Sequence, residues 1–141
     1  MREQFDSQDA VREHPNARVV RALWEAIAAG DRDAFQALLS DGARWEVGNA
    51  GVLNGEHKGI AEIVSMLARS GEQVERLRST LLDVYASEHG AVVHYRLEAQ
   101  RGGQALNTEM LIVCQIRDGQ VTDAFSVPRD AAGSERFWAI H

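Results

Sequence analysis

Lysine is nearly missing from this chain. Lys58 stands alone, and no run of basic residues occurs anywhere. With 15 basic against 21 acidic residues, the formal charge is -6. Phosphate backbones are held by clustered Lys and Arg, so nucleic acid is excluded as a main partner. Cysteine also occurs once, as Cys114. No disulfide can form within the chain, and a reducing, cytoplasmic setting is expected. No apolar stretch approaches the roughly 18 residues of a membrane span. The opening residues Met-Arg-Glu-Gln-Phe-Asp carry no apolar core of a signal peptide. The five histidines show no His-x-His or His-x-x-x-His spacing, so no metal site is expected. The glycines at 55 and 59 lack the following Lys-Ser or Lys-Thr of a phosphate loop. No dissociable cofactor is expected.

What is present is enough apolar material for one core. The 141 residues are 45% hydrophobic, and a chain of this size buries about two-thirds of its unfolded surface. Residues 1–15 show no sustained period and read as a flexible lead-in, leaving one domain over 16–141. Val20, Leu23, Trp24 and Ile27 fall at i, i+3, i+4 and i+7, one face of a helix that Gly30 ends. Asp31 is the N-cap of a short second helix carrying Phe35, Leu38 and Leu39, closed by Asp41-Gly42. A strand follows at 43–47, then a Gly/Asn-rich loop over 48–55. Ile60, Ile63, Val64 and Leu67 mark a third helix. The period then changes from 3.6 to 2. Strands are predicted at 76–86, 91–100, 106–117 and 121–128, separated by turn signals at 88–90, 101–103 and 118–119. Short connections make these strands antiparallel neighbours. The tail has room for one helical turn around 134–138. The predicted order is ααβαββββ, an α+β domain.

This order carries Ala-Ala-Gly-Asp at 28–31, Arg-Trp-Glu-Val at 44–47 and Leu-Asn-Gly-Glu-His-Lys-Gly at 53–59. It continues with Arg-Asp-Gly-Gln-Val-Thr-Asp at 117–123 and Phe-Trp at 137–138. Together these resemble a nuclear-transport-factor-2-like domain of the SnoaL-like or ketosteroid-isomerase-like branch. The resemblance implies a curved antiparallel sheet wrapped around three helices, a cone-shaped α+β barrel enclosing an apolar pocket. It also implies a homodimer through the outer face of the sheet. Polyketide cyclases, isomerases, hydrolases and proteins that only bind ligands share the fold, so activity has to be read from the site. Alignment with the isomerase branch puts Leu23, Val47 and Leu111 where its tyrosine, base and acid stand. Alignment with the aldol cyclases puts Ser126 where their aspartate stands.

Two carboxylates remain as candidates for proton transfer. Glu46 lies on the first strand near the expected pocket mouth. Glu109 lies on a central strand; facing inward it is a desolvated acid or base, and facing outward it is a surface residue of the dimer. Trp24 and Trp45 are candidates to clamp a ligand, and Tyr95, on the side of Val93 and Leu97, to hold its oxygen. Gln115 shares a face with Glu109 and is a further ligand contact, as are Ser126 and His57. The implied function is cofactor-free acid–base chemistry on an apolar, carbonyl-bearing substrate, by a cyclase, isomerase or hydratase. The alternative is a non-catalytic protein binding a small hydrophobic ligand in the same pocket.

Overall fold

The structure, a computed structural model, describes residues 13–139. The expected lead-in therefore lies outside the described residues up to position 12. Helix α1 (Pro15–Ala29) starts on His14, whose Nδ1 accepts from the Asn16 amide at 3.0 Å. Val20, Leu23 and Ala26 face the core and are buried, while Trp24 and Ile27 lie at the border of that face. Burying each large apolar side chain contributes about 1.5–3 kcal/mol, so this stripe anchors α1. Helix α2 (Arg32–Ala37) begins at Asp31, whose carboxylate accepts from the Ala34 amide at 3.1 Å.

Two departures from the predicted order follow. Strand β1 (Leu39–Val47) begins four residues before the predicted start at 43, and Leu39 belongs to it rather than to α2. The Val121 amide donates to the Leu38 carbonyl at 2.8 Å, so strand pairing overrides the helical spacing of Phe35, Leu38 and Leu39. Asp41 and Gly42 then sit within β1, where its register against the neighbouring strand shifts between Leu39 and Arg44. The second departure is a short strand, β2 (Gly55–Lys58), which pairs antiparallel with Arg44 through Val47. A single 3-10 turn, Gly51–Leu53, leads into it.

Helix α3 (Ile60–Glu72) is followed by strands β3 (Arg76–Ser87), β4 (Gly90–Arg101), β5 (Gln104–Arg117) and β6 (Gln120–Pro128). These four strands form the antiparallel meander that the turn signals predicted. The β4–β5 turn is Gly102-Gly103, with φ of 54° and 80°. Positive φ at both positions is the demand of a two-residue hairpin turn, which glycine meets without strain. The sheet order is β2-β1-β6-β5-β4-β3, with β1 parallel to β6. The α+β class stands as expected, but the curved sheet keeps two edges, β2 and β3, and does not close into a barrel.

Helix α1 packs on β3 and β4, and α3 packs on β1 and β2. Trp45, Leu23, Leu39, Ile63, Val20, Val93 and Val121 form the fully buried centre between them. The tail forms a fourth helix, α4 (Ala131–Trp138), longer than the single turn predicted. Arg101 fastens it by donating to the Phe137 and Ala139 carbonyls, with its guanidinium 5.5 Å from the Phe137 ring centre.

Candidate functional site

Strand alternation sorts the polar side chains onto two faces. On β4, Ala91, Val93, Leu97 and Ala99 turn toward the helices and are buried. Tyr95 shares their side, between Leu81 of β3 and Met110 of β5. Its ring centre lies 6.5 Å from that of Trp24, tilted by 56°. Burial alone pushes the phenol up to about 12. It is therefore neutral over the physiological range, a hydrogen-bond donor rather than a base.

The α1–α2 turn faces the C-terminal half of α3, with Leu77 of β3 at one side. A cavity of about 250 Å³ lies there, walled by Ile27, Phe35, Val64, Leu67 and Leu77, with Asp31 and Arg32 at its rim. Trp24 is one helical turn before Ile27 on α1. Leu77 and Leu81 lie on the same face of β3, four residues apart, about 13 Å along the strand at 3.3 Å per residue. The Trp24–Tyr95 pair lies farther along α1 and β3, and neither ring lines the cavity. None of the four carboxylates on β3–β6 faces the helices. Asp83, Glu98, Glu109 and Asp123 all lie on the opposite side, in register with His94, Asn107, Arg96 and Gln115.

The other predicted residues form separate groups. Trp45 is fully enclosed, its ring 5.9 Å from Phe35, and its Nε1 donates to Ser126 Oγ at 2.8 Å. His57 pairs with Trp45 across β1 and β2, and its Nε2 donates to the Leu53 carbonyl at 2.9 Å. Trp45 and Ser126 are thus joined inside the core, and His57 is tied separately to the loop before β2. Glu46 and Gln115 meet on the outer face instead. They line a hollow of about 270 Å³ with Arg44, Glu56, Asp123 and Phe125, in which Arg44 reaches Asp123 at 3.1 Å.

Glu109 also faces outward. His94 Nε2 lies 2.7 Å from one carboxylate oxygen, while Arg129 and Arg96 reach the other at 3.3 and 3.4 Å. The hydrogen bond from His94, with the charges of Arg129 and Arg96, holds the carboxyl below the usual carboxylate range against the opposing effect of partial burial. A depressed carboxylate is a weak base, because a general base works best with a pKa near the operating pH. Sequence reasoning did not find this cluster. Its signal was the Gly102-Gly103 turn, since counting back from it places Arg96 opposite Glu109. Arg32 was missed as well; it follows a helix cap and nothing in its local spacing marks it.

A family model described as the SnoaL-like domain matches residues 20–124. Among solved structures, Bal32a from a soil-derived mobile gene cassette is 28% identical with a TM-score of 0.82, over 88% of this chain and 96% of that one. A putative SnoaL-like polyketide cyclase from Jannaschia sp. CCS1 is 20% identical with a TM-score of 0.74, over 90% and 94%. TerC, co-crystallized with polyporic acid, is 18% identical with a TM-score of 0.74, over 84% and 95%. The comparison with curated proteins finds no match.

Proposed function

The chain belongs to the SnoaL-like domain family, and we propose that it binds a small apolar ligand carrying an acceptor oxygen in the space between α1 and the sheet. Tyr95 carries the reading. It is a neutral phenol on the inner face of β4, between Leu81 and Met110 and set against the Trp24 ring. A donor in such surroundings orients a carbonyl, ether or quinone oxygen, while Trp24 covers the apolar body. The TerC structure supports the same class, as its ligand is polyporic acid.

Acid–base turnover by a cyclase, isomerase or hydratase is the second reading, and the same phenol favours it. A fixed neutral donor is what stabilises a developing enolate or alkoxide. Glu109 and Glu46, the proton movers expected from sequence, face away from Tyr95. This reading therefore places no proton transfer on them, and binding is the reading we put first.

The test is a thermal-shift screen of the full chain with aromatic polyketides, steroid ketones, terpenoid epoxides and fatty acyl analogues, with mass spectrometry of each well. A ligand at a hundred times its Kd adds about 2.7 kcal/mol, which raises the midpoint by roughly 2–8 °C. A shift with unchanged ligand mass supports binding. A new product mass establishes an enzyme and replaces the first reading with the second. Shifts that are the same in Tyr95→Phe for every oxygen-bearing ligand remove Tyr95 from the site.

The outer face of the sheet is proposed as a homodimer surface. Leu111, Val113 and Val127 lie there beside Phe125, which is 44% exposed. Equilibrium sedimentation of the native chain and of Phe125→Asp tests it, a dimer being expected for the first and a monomer for the second. Cytoplasmic residence completes the reading. Its support is the single Cys114, buried and without a disulfide partner.

A further inference from the structure

Three polar side chains line the mouth beside Ile27, Leu67 and Leu77: Asp31, Arg32 and Ser70. Two are engaged within the fold. The Asp31 carboxylate accepts from the Ala34 amide at 3.1 Å, and the Ser70 hydroxyl donates to the Leu67 carbonyl at 2.7 Å. Arg32 is exposed at the rim, and no carboxylate among the described residues is paired with it. The mouth therefore offers an open guanidinium at its lip and an apolar wall behind it. Leu77, 54% exposed, extends that wall to the surface. Such an arrangement suits an amphiphile with an apolar tail and a small anionic head, of which a carboxylate is the simplest. The planar guanidinium takes a carboxylate through two parallel hydrogen bonds.

We infer that the mouth selects monocarboxylate amphiphiles, with the head on Arg32 and the tail running over Ile27, Val64, Leu67 and Leu77. The inference rests on the pocket reading above and adds to it the identity of the ligand's outer end. The net charge of -6 gives the chain no general attraction for anions. A preference for a carboxylate therefore reports on Arg32 and not on the field of the whole molecule.

Calorimetric titration of the full chain with octanoate, octanol and octyltrimethylammonium at neutral pH tests this. Octanoate is expected to bind about tenfold more tightly than octanol, a charge-assisted pair being stronger than a neutral one. Octyltrimethylammonium binds more weakly than octanol. Arg32→Gln brings octanoate to the level of octanol, while Arg32→Lys keeps part of the preference as a point charge without the fork. The comparison of the three probes on the native chain stands without any variant. Equal binding of octanoate and octanol, or a preference that survives Arg32→Gln, overturns the inference and leaves the pocket reading in place. No binding of any probe, together with no shift anywhere in the ligand screen, overturns both.

Discussion

His94 donates to Glu109 across β4 and β5 at 2.7 Å, while its chain neighbour Tyr95 points through the sheet to the other side. One peptide step thus separates an ionic cluster in contact with water from the neutral phenol of the interior. The two faces can be tested independently.

Glu109 governs part of the acid limb of stability. Its carboxyl titrates below the usual range in the folded chain because His94, Arg129 and Arg96 favour the ionised form. A group whose folded pKa is depressed contributes stability that is present above its unfolded value, near 4.5, and lost as pH falls through the folded one. Glu109→Gln is expected to flatten the fall of Tm below that value and to lower Tm at neutral pH. Ligand binding in the pocket stays unchanged. Melting curves from pH 3 to pH 7 check this; a full acid limb in the variant contradicts it.

Tyr95→Phe removes a donor and little volume. Affinity for an oxygen-bearing ligand should fall by about 0.5–1.5 kcal/mol, the net worth of one neutral hydrogen bond. The alkaline limb supplies a second readout. The unfolded phenol ionises near 10 and the folded one at about 12. The unfolded state thus sheds its proton first, and stability falls as pH rises between those values. The variant loses that component, which alkaline melts detect.

Ser126→Ala leaves the Trp45 indole N–H without its acceptor inside the core. A buried donor left unpaired costs about 1–3 kcal/mol. Trp45→Phe removes the donor itself, so the double variant should be more stable than the sum of the two losses predicts. Urea unfolding of the four proteins measures this coupling.

Cys114 is buried, and burial pushes its thiol up to about 12. Only the thiolate attacks disulfide reagents. Labelling at pH 8 should therefore be negligible in the native chain and rapid in urea, with a native-state rate that tracks unfolding.

Gly51 has φ of 59°, and a Cβ on it would lie 2.4 Å from the Trp138 carbonyl oxygen. Gly51→Ala is expected to displace the end of α4 from the 3-10 turn and to lower Tm by several degrees. Loss of near-ultraviolet circular dichroism from Trp138 would accompany it.

Much of this was legible in advance. The period-2 pattern and the turns at 101–103 and 118–119 located the meander, because hairpin register depends on neighbours in the chain. The side of Tyr95 followed from alternation with Val93 and Leu97. The start of β1 did not, because Leu39 earns its strand conformation from Val121, 82 positions away. Nor did β2, whose Gly-Glu-His-Lys shows no apolar alternation and is held by pairing with β1. The outward setting of Glu109 needed the partners Arg96 and Arg129, one across a hairpin and one beyond the last strand.

The parallel pairing of β1 with β6 bears on how the chain is made. β1 emerges from the ribosome early, yet its partner on that side is the last strand to appear. Until residues near 128 are out, β1 and β2 form a two-stranded ribbon with no sheet to join, and isolated hairpins are marginal in water. The meander β3–β6 can assemble from local contacts, but closure of the core waits for β6 to pair with β1. Chains truncated before β6 should therefore remain protease-sensitive, whereas chains that include it should resist.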